Sequence, residues 1–406
     1  MNGSARLRLR PFAATRYNPA SVGDIGQVTS PPYDMMDRRM IEALLDQHPQ
    51  NIVRLVLPRL VSEPVHTDDP YRRAAKLLER WRAQQVLVTD PEPALYVYEY
   101  GDESSTLCGV VGALELRHRD TGVVLPHEDV IPEIVADRLA MMTASDANLE
   151  PILLVYDGAG GVSEVLARAR SRRPQIDITA GDSTWHRIWP LTDRADIRRV
   201  NEALARRQAL IADGHHRYAS YLRLQQDRHR TGRGDGPWDF GLAMLIDQSE
   251  YPLRLSAIHR SISELRLDSL SAPDGFVIGP HESVDPDSPR RPAQPGELLV
   301  VADKRLVPIH LVGDRDLSVS DAELLHERLL PAWRVEDHRL GYHHTVQQAV
   351  HCAEQDAGVA VLLHESSVSE VMDVARAGKM MPRKSTSFGP KPRTGLVMRH
   401  LHTGGA

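Results

Sequence analysis

The sequence predicts a mixed α/β fold, and three observations carry that prediction. Apolar runs of strand length alternate with stretches whose apolar residues recur at helical spacing. Gly, Pro, Asn and Asp punctuate the joins. No internal repeat and no run of eighteen apolar residues breaks the alternation.

Taken in order, residues 10–34 are rich in Pro, Gly and Ser and read as loops with at most short strands. Met40, Ile41, Leu44 and Leu45 share a helical face behind Asp37, a side chain suited to capping, and predict a helix over 37–48. The run "NIVRLVLP" reads as a strand ended by Pro58. Ala74, Leu77, Leu78 and Trp81 predict a helix over 70–84, and "ALYVYEY" and "GVVGALELR" a strand pair turning at Gly101 and Asp102. A helix over 133–144, strands at "PILLVYDG", "QIDITAG" and "RIWPL", and an amphipathic helix from Ala195 to Ala205 follow. Another helix is expected from about Tyr218 to His229, stopped by Gly232. Further on, "LLVVADK" and "LVPIHLV" read as paired strands, 321–330 as a helix, "GVAVLLH" as a strand and 367–377 as a helix.

At 406 residues the chain exceeds what one core usually organises. The Pro-dense run 272–297 is the expected linker between an α/β region at 1–271 and a second at 298–406. A net charge of −6 argues against a nucleic-acid partner. Two cysteines are too few for a disulfide framework, and no apolar segment of signal or membrane-spanning length occurs, so a cytoplasmic protein without membrane contact is expected. Oligomeric state is not legible.

The stretch "LIADGHHRY" concentrates the chemistry. A strand that ends at a glycine and opens into a helix presents backbone N–H groups and the positive end of a dipole to an anion. Gly214 lets backbone approach a ligand, while His215, His216 and Arg217 add side-chain donors suited to phosphate. Asp213 beside a phosphate calls for Mg²⁺, or for a base that takes a hydroxyl proton; the alternatives are a common Asp-Gly turn and a helix cap. Adjacent histidines point differently, and no HExxH or CxxC accompanies them, which weakens a zinc reading.

Two further stretches carry candidates. In "LPHEDVIPEIVADRLAMM", His127 and Glu128 precede a helix that holds Asp137 and Arg138; Glu128 is a candidate base or metal-bound carboxylate, or else a solvated loop acid. The tail "MPRKSTSFGPK" gathers Lys384, Ser385, Thr386 and Lys391 in a chain with only five lysines, which points these ammonium groups at phosphate or carboxylate; the alternative is a basic flexible tail. In "SPPYD", Tyr33 could stack on a base, with Asp34 beside it in a turn. Walker, dinucleotide GxGxxG and GxSxG signatures are missing.

In this order, "RYNP", "SPPYD", "NIVRLVLP", "HE" before "DRL", "ADGHHRY" and "MPRKSTSFGPK" resemble the family labelled domain of unknown function 1015 over nearly the whole chain. Val135 departs from that family's pattern, which has a lysine about there. The resemblance implies a link to serine metabolism. More locally, "DGHHR" is similar to the signature turn of the ParB/sulfiredoxin-like nucleotide-binding fold, including its free-serine kinases. That likeness implies a central nucleotide-binding unit whose turn holds phosphates and a separate glutamate, here matched to Glu128, that assists transfer to a hydroxyl.

The expected activity is therefore an ATP-dependent, Mg²⁺-requiring kinase acting on a small hydroxylated metabolite such as free serine. Gly214, His215, His216, Arg217, Lys384, Ser385, Thr386 and Lys391 would hold the nucleotide. Glu128 and Asp213 would serve as metal ligand or base, with His216 in the catalytic group. A nucleotide-binding switch protein of ParB-like type without turnover, and a metal-dependent hydrolase centred on the histidines, are the alternatives.

Overall fold

Apolar runs build both large sheets of the computed structural model, which describes residues 6–61, 69–285, 289–313 and 319–401. The chain forms two units: Met1–Leu125, Val130–Pro252 and Pro390–Ala406 make unit 1, and Pro126–Asp129 with Leu253–Gly389 make unit 2. The fold is mixed α/β, as the alternation predicts.

Among the described residues, unit 1 is organised on a nine-stranded sheet. Its strands run in the order Val124–Leu125, Ala209–Asp213, Ile152–Tyr156, Phe240–Asp247, Thr106–Glu115, Leu95–Gly101, Trp185–Leu191 and Ile176–Thr179, with Leu9–Arg10 also on Thr106–Glu115. Two pairings are parallel, Ala209–Asp213 on Val124–Leu125 and Phe240–Asp247 on Ile152–Tyr156; the rest are antiparallel. Ile152, Leu154, Ala209 and Ile211 enter one core with Val165, Leu166, Val200 and Leu204, which come from the helices Ser163–Arg170 and Arg194–Leu204. The helix Pro132–Ser145 also lies in this unit.

Among the described residues, unit 2 carries a seven-stranded antiparallel sheet in the order Phe276–Ile278, Arg305–Leu311, Glu297–Ala302, Val359–Leu362, His259–Ile262 and Leu340–His343, with Glu282–Ser283 on Arg305–Leu311. Its centre explains the unbroken apolar run "LLVVA". Leu298, Val300 and Ala302 enter one core with Leu324, Leu325 and Leu329, whereas Leu299 and Val301 pack with Val346, Ala349 and Val350 of the helix Val346–Gln355. A strand covered on both faces has no reason to alternate.

Four expectations are corrected. The stretch "NIVRLVLP" holds the helix Val53–Val56 instead of a strand: the Asn51 side chain accepts from the Val53 amide at 3.1 Å, and Ile52, Val53, Leu55 and Val56 are all buried, so apolar periodicity could not separate the two. Residues 10–34, read as loops, contain the one-turn helices Pro19–Val22 and Ile25–Val28, capped by Asn18 and Asp24. The helix expected at 321–330 is interrupted by a π segment, Leu325–Leu329, just before Pro331, whose ring nitrogen cannot donate to the preceding turn. Finally, 272–297 is not an interdomain linker. Its described residues supply Phe276–Ile278 and Glu282–Ser283 to the unit 2 sheet, residues 286–288 lie outside the description, and the chain returns to unit 1 at Pro390. Among the described residues no helix is long and apolar enough to cross a membrane.

Candidate functional site

The strand Ala209–Asp213 does not run out regularly. Ile211 lies opposite Leu154 and Asp213 opposite Leu153, so the pairing with Ile152–Tyr156 slips by one residue at Ala212, and such a bulge re-aims the side chain that follows it. Gly214 then turns the chain with φ +95°, and the helix His215–Arg230 begins at once, three residues earlier than its apolar periodicity suggests. No side chain caps that helix. A Cβ on Gly214 would meet Ile152 Cγ2 at 2.7 Å and Arg217 Nε at 3.1 Å. The glycine thus makes room for neighbouring side chains as well as for its own left-handed backbone. Gly214→Ala is expected to destabilise the protein by about 1–3 kcal/mol, read as a lower urea midpoint with unchanged slope.

Asp213 is 6% exposed and each of its oxygens meets a cation. Oδ2 pairs with the Arg217 guanidinium, and Oδ1 lies 2.5 Å from the Lys391 ammonium. Burial opposes the Asp213 charge, but Lys391 and Arg217 outweigh it and hold the carboxyl below its usual range. Lys391 also donates to Asp34 Oδ2 at 2.7 Å, and despite burial these two carboxylates keep its pKa well above that of an ordinary lysine. Arg217 donates its second arm to the Pro151 carbonyl at 2.6 Å and is 4% exposed. Its guanidinium therefore faces into the fold. Behind it a cavity of about 30 Å³, lined in part by Arg138, Asn148, Glu150 and Tyr221, has room for no more than a couple of waters.

The neighbouring groups are held just as closely. His216 Nε2 accepts from the Ile131 amide at 3.0 Å, and burial pushes His215 down to about 4, so the His215 imidazole is neutral near pH 7. Tyr33 stands beneath two guanidinium groups, Arg138 at 4.6 Å and Arg217 at 5.8 Å from its ring centre, and burial raises its hydroxyl to about 12. Asp137 turns elsewhere, toward the Tyr71 hydroxyl and Arg59, while Arg138 spans Asp137 and the Val56 carbonyl.

Unit 2 holds the remaining candidates. Met381 donates to the His127 carbonyl at 2.7 Å, fixing "PHED" beside the tail motif. Glu128 Oε1 accepts from the Ser385 amide at 3.2 Å and from Thr386 Oγ1 at 3.3 Å, and Thr386 Oγ1 lies 3.0 Å from His127 Nε2. Burial raises the Glu128 pKa, with the amides of Ser385, Thr386 and Lys384 opposing the shift. Lys384 is exposed, with its ammonium 4.9 Å from the Tyr342 ring centre.

Residues 9–314 match the family model described as protein of unknown function, DUF1015. The chain belongs to the DUF1015 family. No curated protein matches it in sequence. Solved structures similar to this DUF1015 protein include a free serine kinase in complex with AMP, 14% identical, covering 72% of this chain and 91% of that one with a TM-score of 0.37. SbnI with a C-terminal truncation from Staphylococcus aureus is 14% identical over 72% and 90% of the two chains, with a TM-score of 0.38. A conserved hypothetical protein from Pyrococcus furiosus is 15% identical over 69% and 90%, with a TM-score of 0.33.

In this DUF1015 chain the sequence candidates separate into two groups. Tyr33, Asp34, Asp213, Arg217 and Lys391 join one unit 1 network, with Arg138 above Tyr33, whereas His127, Glu128, Lys384, Ser385 and Thr386 belong to unit 2. Among the described residues, the group of three metal donors within reach of one another is His229, Asp235 and Asp239, which includes neither Glu128 nor Asp213. Sequence reasoning missed Glu150, 5% exposed and accepting from Thr394 Oγ1 at 2.8 Å, and the fully buried Arg260. Neither sits in a patterned motif. A lone acid before an apolar strand and an arginine in the mixed strand His259–Ile262 give no signal until the fold buries them.

Proposed function

We propose that unit 1 binds a nucleoside triphosphate with Mg²⁺ and transfers its terminal phosphoryl group to the hydroxyl of a small metabolite. Free serine is the acceptor to try first, because the "DGHHR" turn resembles that of free-serine kinases. The observation that carries the reading is Lys391, whose ammonium reaches both Asp34 and Asp213 beside the start of the helix His215–Arg230. Two carboxylates directed at one cation suit a hard divalent metal, and a lysine beside them suits the phosphates that accompany it.

Roles follow from that geometry. Asp34 and Asp213 would hold Mg²⁺, which neutralises phosphate charge when bound. Lys391 and the helix start, with neutral His215, would receive phosphate oxygens. Arg217 and Arg138 act on Asp213 and Tyr33, as positioning groups. A carboxylate held below its usual range is a poor proton acceptor but a good metal ligand, and phosphoryl transfer asks mainly for positioning and charge neutralisation. Incubation with ATP, Mg²⁺ and serine should give ADP and phosphoserine in equal amounts by ³¹P NMR. No ADP, with serine or any of a panel of hydroxylated metabolites, would refute the reading.

The same low Asp213 pKa favours a second reading, a nucleotide-binding switch without turnover. It predicts tight nucleotide binding and altered proteolysis with no phosphorylated product. Metal-dependent hydrolysis at the histidines has less support, since His216 already uses Nε2 to accept a backbone amide.

A further inference from the structure

Glu128 is an unusual occupant of its surroundings. Lys384 has φ +55°, and a left-handed residue at this position lets successive amides point to one side, forming an anion-binding nest. The amides of Lys384, Ser385 and Thr386 all favour the charged form of Glu128, and the Thr386 hydroxyl adds a fourth donor. The Ser385 amide and the Thr386 hydroxyl converge on a single oxygen, Oε1.

The loop is also backed by surplus positive charge. Arg260 is 0% exposed and donates through Nη2 to the Lys384 carbonyl at 3.1 Å. Its other arms reach the Ile258 carbonyl and His326 Nε2, and among the described residues no carboxylate pairs with it. The guanidinium lies 4.4 Å from the centre of the Tyr342 ring that Lys384 also approaches. Two cations share one ring, and Glu128 is the carboxylate the nest holds. Burial raises the pKa of Glu128 even with three amides favouring its charge.

We propose that loop 382–386 is a phosphate-binding nest of unit 2, in which the Glu128 carboxylate stands in for the phosphoryl oxygens of a small phosphate or phosphate monoester. A tetrahedral oxyanion offers three oxygens where the Ser385 amide and the Thr386 hydroxyl share one, and it brings enough charge for Lys384 and Arg260 together. Entry of the ligand displaces Glu128 from the amides. This site stands apart from the nucleotide reading, which rests on unit 1 residues, so either can fail alone.

Calorimetric titration of the full chain with inorganic phosphate and with glycerol phosphate tests it. Glu128→Ala empties the nest, and Glu128→Gln, which keeps the shape and removes the charge, remains readable should the alanine variant not fold. Both variants are expected to bind phosphate about tenfold tighter than the parent protein, and Lys384→Ala should abolish that gain. Preference for inorganic phosphate or for the monoester identifies the source of the ligand. Equal affinity in the parent and in whichever Glu128 variants fold, or a gain that survives loss of Lys384, would overturn the proposal.

Discussion

Lys391→Met is expected to weaken ATP binding by about ten- to a hundredfold, the loss of one charge-assisted phosphate contact, and to slow phosphoryl transfer by about 10²–10³. In the same variant, Mn²⁺ without nucleotide should bind more tightly than in the parent. The opposite signs follow from the position of the ammonium, 2.7 Å from Asp34 and 2.5 Å from Asp213, where it competes with a metal for both carboxylates but aids the phosphates. Asp34 is 40% exposed, so its carboxylate is accessible to an incoming ion, whereas Asp213 keeps Arg217 as a counter-ion and remains charged. Titration calorimetry reads nucleotide affinity, and water relaxation reads Mn²⁺. A folded variant in which both affinities are unchanged would remove the Asp34, Lys391 and Asp213 bridge from the site.

Local pattern revealed most of the elements, and failed where tertiary burial replaced it. The helix Arg38–Gln47 behind Asp37 and the hairpin strands Leu95–Gly101 and Thr106–Glu115 stand where capping and alternation put them. "NIVRLVLP" misled because every side of a short buried helix can be apolar. The π segment at Leu325–Leu329 left no trace except Pro331, which is tolerated in several helical contexts.

The candidate site was legible as a set of motifs, not as an arrangement. Scarcity of lysine singled out Lys391, and its bridge to Asp34 and Asp213 bears on that emphasis. What no spacing could tell is which motif meets which: "SPPYD" and the Lys391 end of the tail meet "DGHHR", while "HE" meets the Lys384 end of the same tail. Direction was illegible too. Sequence assigns Arg217 to a phosphate because arginine forks suit phosphate, yet four residues along a helix is also the spacing that brings Arg217 back over Asp213, and in the structure the buried carboxylate takes it.

Arg217→Ala is therefore expected to act first on stability, costing about 3–5 kcal/mol, because it strips one of two counter-ions from a carboxylate that is 6% exposed and leaves the Pro151 carbonyl without its donor. Chemical denaturation reads this directly. The pH dependence should change with it. In the parent, Asp213 titrates lower when folded than when unfolded, so its stabilising contribution is fully present above the unfolded value of about 3.9 and disappears as pH falls from there through the folded value. Without Arg217 burial gains ground against Lys391, the folded pKa rises, and the variant should lose less stability than the parent between neutral pH and acid. Asp213→Ala in the Arg217→Ala background should cost less than it does alone, with a coupling of about 0.5–3 kcal/mol. Additive losses, or an Arg217→Ala variant as stable as the parent but about tenfold weaker for ATP, would return Arg217 to the phosphates and make the inward fork incidental.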